Sequence, residues 1–358
     1  MSRLTITVIV IAAGGLGSPP AAQDAAPSPE QIVSDWLGSA HAKTAAEAFR
    51  HWDAEGEIPG HCAVCHSTPG FVAYANGPRQ SPGRIDHPVP TGSLVECESC
   101  HDPAVSRIEE VLFPSGDTAS FGTSTACAIC HQGRAWGGDV DAATANMPPD
   151  EVVPELSFIN VHYSAAATTQ MGSEVAGGYE YPDRDYAGRF NHVPGLESCV
   201  GCHGPHDTSL EIADCTDCHA GIRAFDDIRT TAQDLDGDGT ADTGIGHELA
   251  ALHDRLGAAI TRYAAEISDR PILYDPAAYP YFFADLDGDG IGDEDELQRG
   301  NAYAAWTPRL LRAAYNYQFV AKDHGAYAHN PHYAAQLVID SLADLSSVLA
   351  EELEVERP

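Results

Sequence analysis

The chain has 358 residues, of which 43% are hydrophobic, so it can form one large domain or two ordinary ones with a globular core. Its 19 Lys and Arg residues against 53 Asp and Glu residues give a formal charge of -34, which excludes nucleic acid and anionic lipid as partners. The ten cysteines are compatible with five disulfides in a secreted chain or with zinc sites in a cytosolic one, and their spacing decides between these.

The first 22 residues have the layout of a short secretory signal peptide. Arg3 precedes an apolar run from Leu4 to Ala13, and Gly, Pro and small residues follow. The run is too short to span a bilayer, and no later stretch approaches the length of a membrane span. We therefore predict a signal peptide over 1–22, a flexible leader over 23–34, and an exported mature chain, periplasmic or extracellular, that does not span a membrane. A buried N-terminal strand is the alternative interpretation of the apolar run.

All ten cysteines fall into one repeated pattern, Cys-x-x-Cys-His, and none is left over. A disulfide framework leaves the recurring histidine unexplained, and zinc sites need an even number of Cys pairs, whereas five pairs are present. The five units are Cys62-Ala-Val-Cys65-His66, Cys97-Glu-Ser-Cys100-His101, Cys127-Ala-Ile-Cys130-His131, Cys199-Val-Gly-Cys202-His203 and Cys215-Thr-Asp-Cys218-His219.

This pattern resembles the haem attachment site of c-type cytochromes. Two thiols three residues apart reach the two vinyl groups of one haem, and the histidine that follows is held under the iron as its proximal ligand. The resemblance covers roughly 60–225 and is to the multihaem c-type cytochromes. It implies five covalently bound haem c groups and a function in electron transfer. The predicted export agrees, because c-type haem is attached outside the cytoplasm.

Each haem iron has a second axial position that a histidine, a methionine or nothing can occupy. Once Met1 leaves with the signal peptide, only Met147 and Met171 remain, so we expect most haems to have two histidine ligands. His61 and His87 are weaker candidates, and the histidines at 51, 247, 253, 324 and 332 are interpreted as ordinary. The five favoured distal ligands are His41, His162, His192, His206 and His329.

The spacing of the motifs divides the chain into two parts. Residues 35–225 are predicted to be a pentahaem cytochrome c domain, in which irregular loops wrap the haems. Residues 226–358 are predicted to be helical and free of haem, because apolar residues recur at helical spacing over 247–267 and 331–350 and a Thr-Pro start precedes 308–322. The fold class is therefore mainly α with extensive irregular loops.

Two Asp-rich loops in the C-terminal part resemble the calcium loop of an EF-hand. The first fills every ligand position, with the bidentate glutamate at position 12 and a backbone carbonyl at position 7. The second lacks that glutamate, so weak binding, an oxygen borrowed from elsewhere or a simple acidic turn are all open. The ligands expected are Asp285, Asp287, Asp289, Ile291, Asp293 and Glu296 in the first loop, and Asp234, Asp236, Asp238 and Asp242 in the second.

Electron transfer between redox partners is the function that these features favour. Two histidine ligands and a negative surface both stabilise ferric iron, so low reduction potentials are expected, and the partner should offer a basic docking face. One alternative is an oxidoreductase of the nitrite or hydroxylamine type, which needs an open haem. The catalytic haem of such pentahaem enzymes is carried on Cys-x-x-Cys-Lys, but here neither Lys43 nor Lys322 follows a cysteine pair. The other alternative is a subunit of an extracellular cytochrome filament.

Overall fold

The computed structural model describes residues 26–350 and 353–358, and the predicted signal peptide over 1–22 lies outside them. Within the described residues, no helix is both long and apolar enough to cross a bilayer. The helices are α1 (Pro29–Gly38), α2 (Glu47–Arg50), α3 (Gly60–His66), α4 (Thr68–Asn76), α5 (Glu98–His101), α6 (Thr125–Cys130), α7 (Gly137–Thr144), α8 (Ala166–Met171), α9 (Cys199–Cys202), α10 (Ile212–Thr216), α11 (Ile245–Glu266), α12 (Pro308–Ala321), α13 (Ala326–His329) and α14 (Pro331–Leu349).

Three short antiparallel strand pairs complete the regular structure of the described residues. Strand β5 runs directly against β6, with Leu273 opposite Phe283, and β6 ends at the start of the first Asp-rich loop. The pairs are β1 (Glu57–Ile58) with β2 (Val89–Pro90), β3 (Val111–Leu112) with β4 (Thr118–Ala119), and β5 (Ile272–Tyr274) with β6 (Phe282–Ala284).

The three predicted C-terminal helices are confirmed as α11, α12 and α14. Helix α12 begins where the Thr307 hydroxyl accepts a hydrogen bond from the Leu310 backbone N–H at 3.1 Å and Pro308 follows. Asn330 caps α14 in the same way, accepting from the Tyr333 N–H at 3.1 Å. The apolar stripes of the three helices pack on one another, which buries the large side chains between them.

The largest hydrophobic core crosses the predicted boundary at residue 225. It includes Ala135, Val140, Val161 and Tyr179 beside the C-terminal helices. The buried Asn316 side chain accepts from the Tyr179 backbone N–H at 2.7 Å and donates to its carbonyl oxygen at 2.9 Å. The long segment between the third and fourth motifs is therefore fixed to the C-terminal helices.

The rest of the motif-bearing part has short helices, irregular loops and two smaller cores, in agreement with the predicted fold class. Its first helix, α1, begins at Pro29 and so lies partly inside 23–34, the segment predicted as a flexible leader. The Ser28 hydroxyl accepts from the Gln31 N–H at 3.2 Å, and proline at the first turn needs no hydrogen-bond partner. The Ser28-Pro29 start, which lies inside the predicted leader, therefore acts as a helix cap.

Candidate haem-binding sites and calcium loops

Each Cys-x-x-Cys-His unit lies on or beside a short helical turn. Residues three and four positions apart share one face of a helix, so both cysteines and the histidine of a unit project to the same side. The backbone fixes this turn, since the N–H of the motif histidine donates to the carbonyl oxygen of the first cysteine at 2.8 Å in the second unit and 2.9 Å in the third. No disulfide joins any of the ten cysteines, all of which lie in the described part of the chain.

The five predicted distal histidines lie against the five motif histidines, one to each. None of these pairs joins neighbours in sequence, so the tertiary fold creates all of them. The distances between ring centroids are 6.0 Å for His66 and His162, 6.3 Å for His101 and His206, 6.4 Å for His131 and His41, 6.4 Å for His203 and His329, and 6.0 Å for His219 and His192.

This spacing fits one metal ion between two imidazoles. A metal–nitrogen bond is about 2 Å long, so two imidazoles that bind one ion from opposite sides have centroids roughly 6 Å apart. Stacked rings in van der Waals contact lie closer, as in the pair of His253 and Tyr317 at 4.0 Å. The residues present therefore fit a haem with two histidine ligands at each unit, with the thiols on the same helical face.

Hydrogen bonds at the ring nitrogen Nδ1 orient two of these histidines, His66 and His329. His66 Nδ1 lies 2.7 Å from the carbonyl oxygen of Ala48, and His329 Nδ1 lies 2.8 Å from Oδ1 of Asp323. A carbonyl or carboxylate oxygen only accepts, so Nδ1 carries the proton and Nε2 keeps a free lone pair. This is the tautomer that a metal-binding histidine needs.

Burial keeps two of the paired imidazoles, His131 and His162, neutral. Burial, reinforced by the nearby His41, lowers the pKa of His131 to about 4. Burial and the neighbouring Arg134 lower the pKa of His162 to about 4 as well. Both rings are therefore in the unprotonated, metal-binding form at neutral pH.

The weaker candidates for the distal ligand position do not lie against a motif histidine. His87 Nδ1 is 2.8 Å from Oδ1 of Asp86, and in the described part of the chain neither His61 nor His87 has a ring contact with a motif histidine. Met171 is buried in a hydrophobic core. The assignment of particular histidines as iron ligands stays a prediction.

The third unit touches the first and the fourth. The Cys65 thiol interacts with Cys130, and the Cys127 thiol interacts with Cys199. Contact between these side chains means that groups attached to them would be close neighbours.

Three charged residues beside the paired histidines were missed from the sequence. Arg134 donates from Nη1 toward Cys62 Sγ at 3.9 Å, and Lys322 and Asp323 are buried at the end of α12. Lys322 is one of only two lysines, which is a signal that the sequence does contain. Because Lys322 is far along the chain from every motif, its position beside the paired histidines could not be predicted.

The first Asp-rich loop has the compact form of a calcium loop. Asp285 is buried, and its carboxylate accepts from the N–H groups of Gly288 at 2.7 Å and Gly290 at 3.1 Å. Gly290 has φ +76, which a residue with a side chain rarely adopts. Glu296, the residue at position 12, is buried and accepts from the Asp293 N–H at 3.2 Å.

Carboxylate oxygens converge in this loop. Asp285, Asp287 and Asp289 each bring one oxygen to within 4.8 Å of the others. Desolvation and the nearby carboxylates of Asp289 and Glu296 raise the pKa of Asp293, so the negative charges destabilise one another.

The second loop repeats this backbone with a different closing residue. Asp234 accepts from the N–H groups of Gly237 at 2.7 Å and Gly239 at 2.8 Å, and Asp234, Asp236 and Asp238 form a similar cluster of oxygens. Glu248, on α11, accepts from the Leu235 N–H at 2.8 Å, as Glu296 does from the equivalent N–H of the first loop. Its other oxygen is paired with Arg229. Asp242 is not part of the cluster of oxygens.

The curated proteins that the chain matches are of one kind. The chain is similar to c-type polyheme cytochromes. It is 27% identical over 84% of its length to the C-type polyheme cytochrome OmcB of Geobacter sulfurreducens, in each of two strains, and 26% identical over 87% of its length to OmcC of the same species. The aligned part is 46% of each relative, so the chain spans about half the length of these proteins. No protein-family model matches the chain. No solved structure matches it either.

Proposed function

We propose that this chain is an exported multihaem c-type cytochrome that carries electrons through five haems, each with two histidine ligands, to or from a redox partner protein. The attachment residues are the cysteines of the five motifs, and the proximal ligands are the five motif histidines. The distal ligands are His162, His206, His41, His329 and His192, for units one to five in that order. Export follows from the predicted signal peptide and from the site of c-type haem attachment.

The observation that carries this proposal is the one-to-one pairing of motif and distal histidines at centroid distances of 6.0 to 6.4 Å. A haem iron held between two imidazoles supplies one-electron Fe(III)/Fe(II) chemistry. The surrounding protein holds the ligands in place, excludes water and sets the local charge. A ligated sixth position leaves no place for a substrate at the iron.

The contacts among the cysteines support an order for the units. Because the third unit touches both the first and the fourth, we propose that electrons pass between units one and four by way of unit three. Unit five follows unit four closely in sequence, and unit two joins the group through His206, which comes from the loop after unit four.

The same pairing favours electron transfer over the two alternatives. An oxidoreductase of the nitrite or hydroxylamine type needs an open iron position, and each motif histidine here faces a second histidine. A filament in which a neighbouring subunit supplies a ligand needs an unpaired motif histidine, and among the described residues each of the five has a partner from its own chain. The formal charge of -34 supports a basic docking face on the partner.

The proposal is tested by substituting one distal histidine in the holoprotein. His206→Ala should convert one low-spin haem to a high-spin form that binds carbon monoxide when reduced, because the imidazole opposite His101 is lost. The matched control is His87→Ala, which removes an exposed histidine bonded to Asp86. The proposal is contradicted if His206→Ala leaves every haem low-spin, or if both variants open a haem equally.

We also propose that the first Asp-rich loop binds calcium through Asp285, Asp287, Asp289, Asp293, Glu296 and the backbone carbonyl of Ile291. The convergent oxygens and the raised pKa of Asp293, caused by desolvation and by neighbouring carboxylates, support a cation there. The second loop, with Asp234, Asp236, Asp238 and Asp242, is proposed as the weaker site. Its closing carboxylate, Glu248, already has a cationic partner in Arg229.

Calorimetric titration of the chelator-treated holoprotein with calcium separates the two loops. Glu296→Gln should weaken the tighter site by more than about tenfold, since even outer-shell substitutions have effects of that size. The control Glu294→Gln removes an exposed carboxylate of the same loop that is at no ligand position and should leave the affinity unchanged. Equal losses in both variants would show a general charge effect instead of a site.

A further inference from the structure

Two adjacent buried residues of opposite charge, Lys322 and Asp323, do not pair with each other. Both follow α12, and their exposed fractions are 8% and 5%. Among the described residues, Lys322 has no salt bridge, and Asp323 pairs only with His329. Burying unpaired charge is costly, so an arrangement that keeps the two charges apart needs an explanation.

Lys322 points toward the proposed site of unit one. Its Nζ lies 4.2 Å from the ring centroid of Tyr163 and 4.2 Å from that of Tyr281, and it is 3.4 Å from the carbonyl oxygen of Pro276. Tyr163 is in turn 5.4 Å, centroid to centroid, from His162. The ammonium group is therefore one aromatic ring away from the proposed distal ligand of unit one, and the aromatic faces hold it without neutralising its charge.

Asp323 points the other way, toward the proposed site of unit four. Its carboxylate oxygens lie 2.8 and 2.9 Å from Nδ1 of His329, the proposed distal ligand opposite His203. The Gly325 backbone N–H donates to the same carboxylate at 3.1 Å, which fixes its orientation.

We propose that Lys322 and Asp323 are positioning residues that set the reduction potentials of two haem sites in opposite directions. The inference rests on the proposed haem ligation. A buried cation near unit one favours the ferrous state, which carries one positive charge fewer, and so raises that potential. A carboxylate bonded to the ligand of unit four increases the basicity of the imidazole, favours the ferric state and lowers that potential.

A difference in potential between units one and four follows. With haems bound at both sites, one electron released as the unit-four iron is oxidised from Fe(II) to Fe(III) would reduce the unit-one iron from Fe(III) to Fe(II). No bond forms or breaks, and no proton moves. The two charges therefore bias electrons toward unit one along the route through unit three, and the C-terminal part sets that direction.

The test is a spectroelectrochemical titration of the full-length holoprotein, with the haem methyl resonances followed by NMR to resolve individual sites. Lys322→Met keeps an apolar chain between the tyrosine rings but removes the charge, and it should lower the potential of one haem. Asp323→Asn keeps an acceptor oxygen for His329 and should raise the potential of another haem. The double variant keeps the net charge and should show a narrower spread of potentials.

Two kinds of control are needed. One keeps the charge of each buried residue and changes its packing, and the other changes the net charge of the protein at an exposed position. Lys322→Arg and Asp323→Glu retain the charges and should keep the wild-type titration curve. Lys43→Met removes the same charge from an exposed position near His41, where water screens it, and should shift the potentials much less than Lys322→Met.

The outcomes distinguish this inference from the function on which it rests. If the wild type shows five low-spin haems but the two variants shift no potential, or shift all five alike, the role of Lys322 and Asp323 is wrong and the proposed function stands. An equal shift in Lys43→Met also overturns it. If the wild type lacks five low-spin haems, the proposed function itself fails.

Discussion

The C-terminal helices and the motif-bearing region bury their side chains in different ways. Helices α11, α12 and α14 are 22, 14 and 19 residues long, and they share one large core of apolar side chains. The regular helices that carry the motifs are at most 7 residues long, and four of the ten cysteines beside them are exposed. Helices this short are not stable alone, so their order must come from long-range contacts or from a bound group.

The two parts bury their side chains in different ways, but they meet at a few named residues. The C-terminal part holds the segment after the third motif through Asn316 and brings His329, Lys322 and Asp323 to the paired histidines. The motif-bearing part contains the cysteines that are the proposed anchoring points for haem. The C-terminal part therefore contributes one histidine to the proposed site of unit four and a charged residue beside each of the proposed sites of units one and four.

Loss of one haem attachment site should have the largest effect, and that effect should be confined to the motif-bearing region. Cys127→Ser with Cys130→Ser removes the anchor of the unit that touches units one and four. Hydrogen exchange should accelerate across α3 and α6, because their apolar core is small and the proposed haems would add to it, while α11 and α14 stay protected. The matched pair Cys215→Ser with Cys218→Ser, at unit five, should affect only its surroundings. Equal loss of protection in α11 and α14 would contradict the separation.

A cavity in the core of the C-terminal helices should lower the stability of the protein and leave its haem content unchanged. Leu252→Ala, at a fully buried position of α11, should lower the free energy of unfolding by about 2–5 kcal/mol. The haem content should stay at five per chain, since no attachment residue is changed. Chemical denaturation followed by circular dichroism, with haem content from the pyridine haemochrome spectrum, measures both. A loss of haem in this variant would mean that the two parts fold as one unit.

The ion pair of Arg309 with Asp150 should give the smallest effect, at the junction of the two parts. Arg309 Nε lies 2.7 Å from Oδ1 of Asp150, and this hydrogen bond lowers the pKa of Asp150 below its ordinary value of 3.8. A depressed carboxyl pKa adds stability above the unfolded pKa, and that contribution is lost as the pH falls through the folded pKa.

Asp150→Asn should therefore lower the free energy of unfolding by about 1 kcal/mol at neutral pH, and by less below pH 3.8. Thermal unfolding at the two pH values measures the difference. If Asp150→Asn lowers the free energy of unfolding equally at both pH values, the pair of Arg309 and Asp150 does not stabilise the protein through its charge.

The sequence predicts the parts of this molecule that local chemistry determines. Covalent attachment needs fixed spacing, so the ten motif cysteines stand out, and apolar periodicity predicts α11, α12 and α14. The five distal histidines were selected from their local setting, but their partners are set by tertiary contacts, so neither the pairing of His41 with His131 nor that of His162 with His66 could be predicted.

Charges that act through space were also beyond the sequence. Asp323 and Lys322 lie more than a hundred residues from the motifs of the proposed haem sites beside which they are buried. Glu248 closes the second Asp-rich loop from outside its twelve-residue frame, so the loop pattern alone shows only a missing glutamate. The cap at Ser28 and Pro29 was a local signal that was misread as part of a flexible leader.

Electron paramagnetic resonance of the oxidised holoprotein, combined with haem quantification, tests the central claim most directly. Five paired histidine sites predict five haems per chain, all of them low-spin, with no high-spin signal. Fewer than five haems, or a high-spin haem in the unmodified protein, would contradict the account.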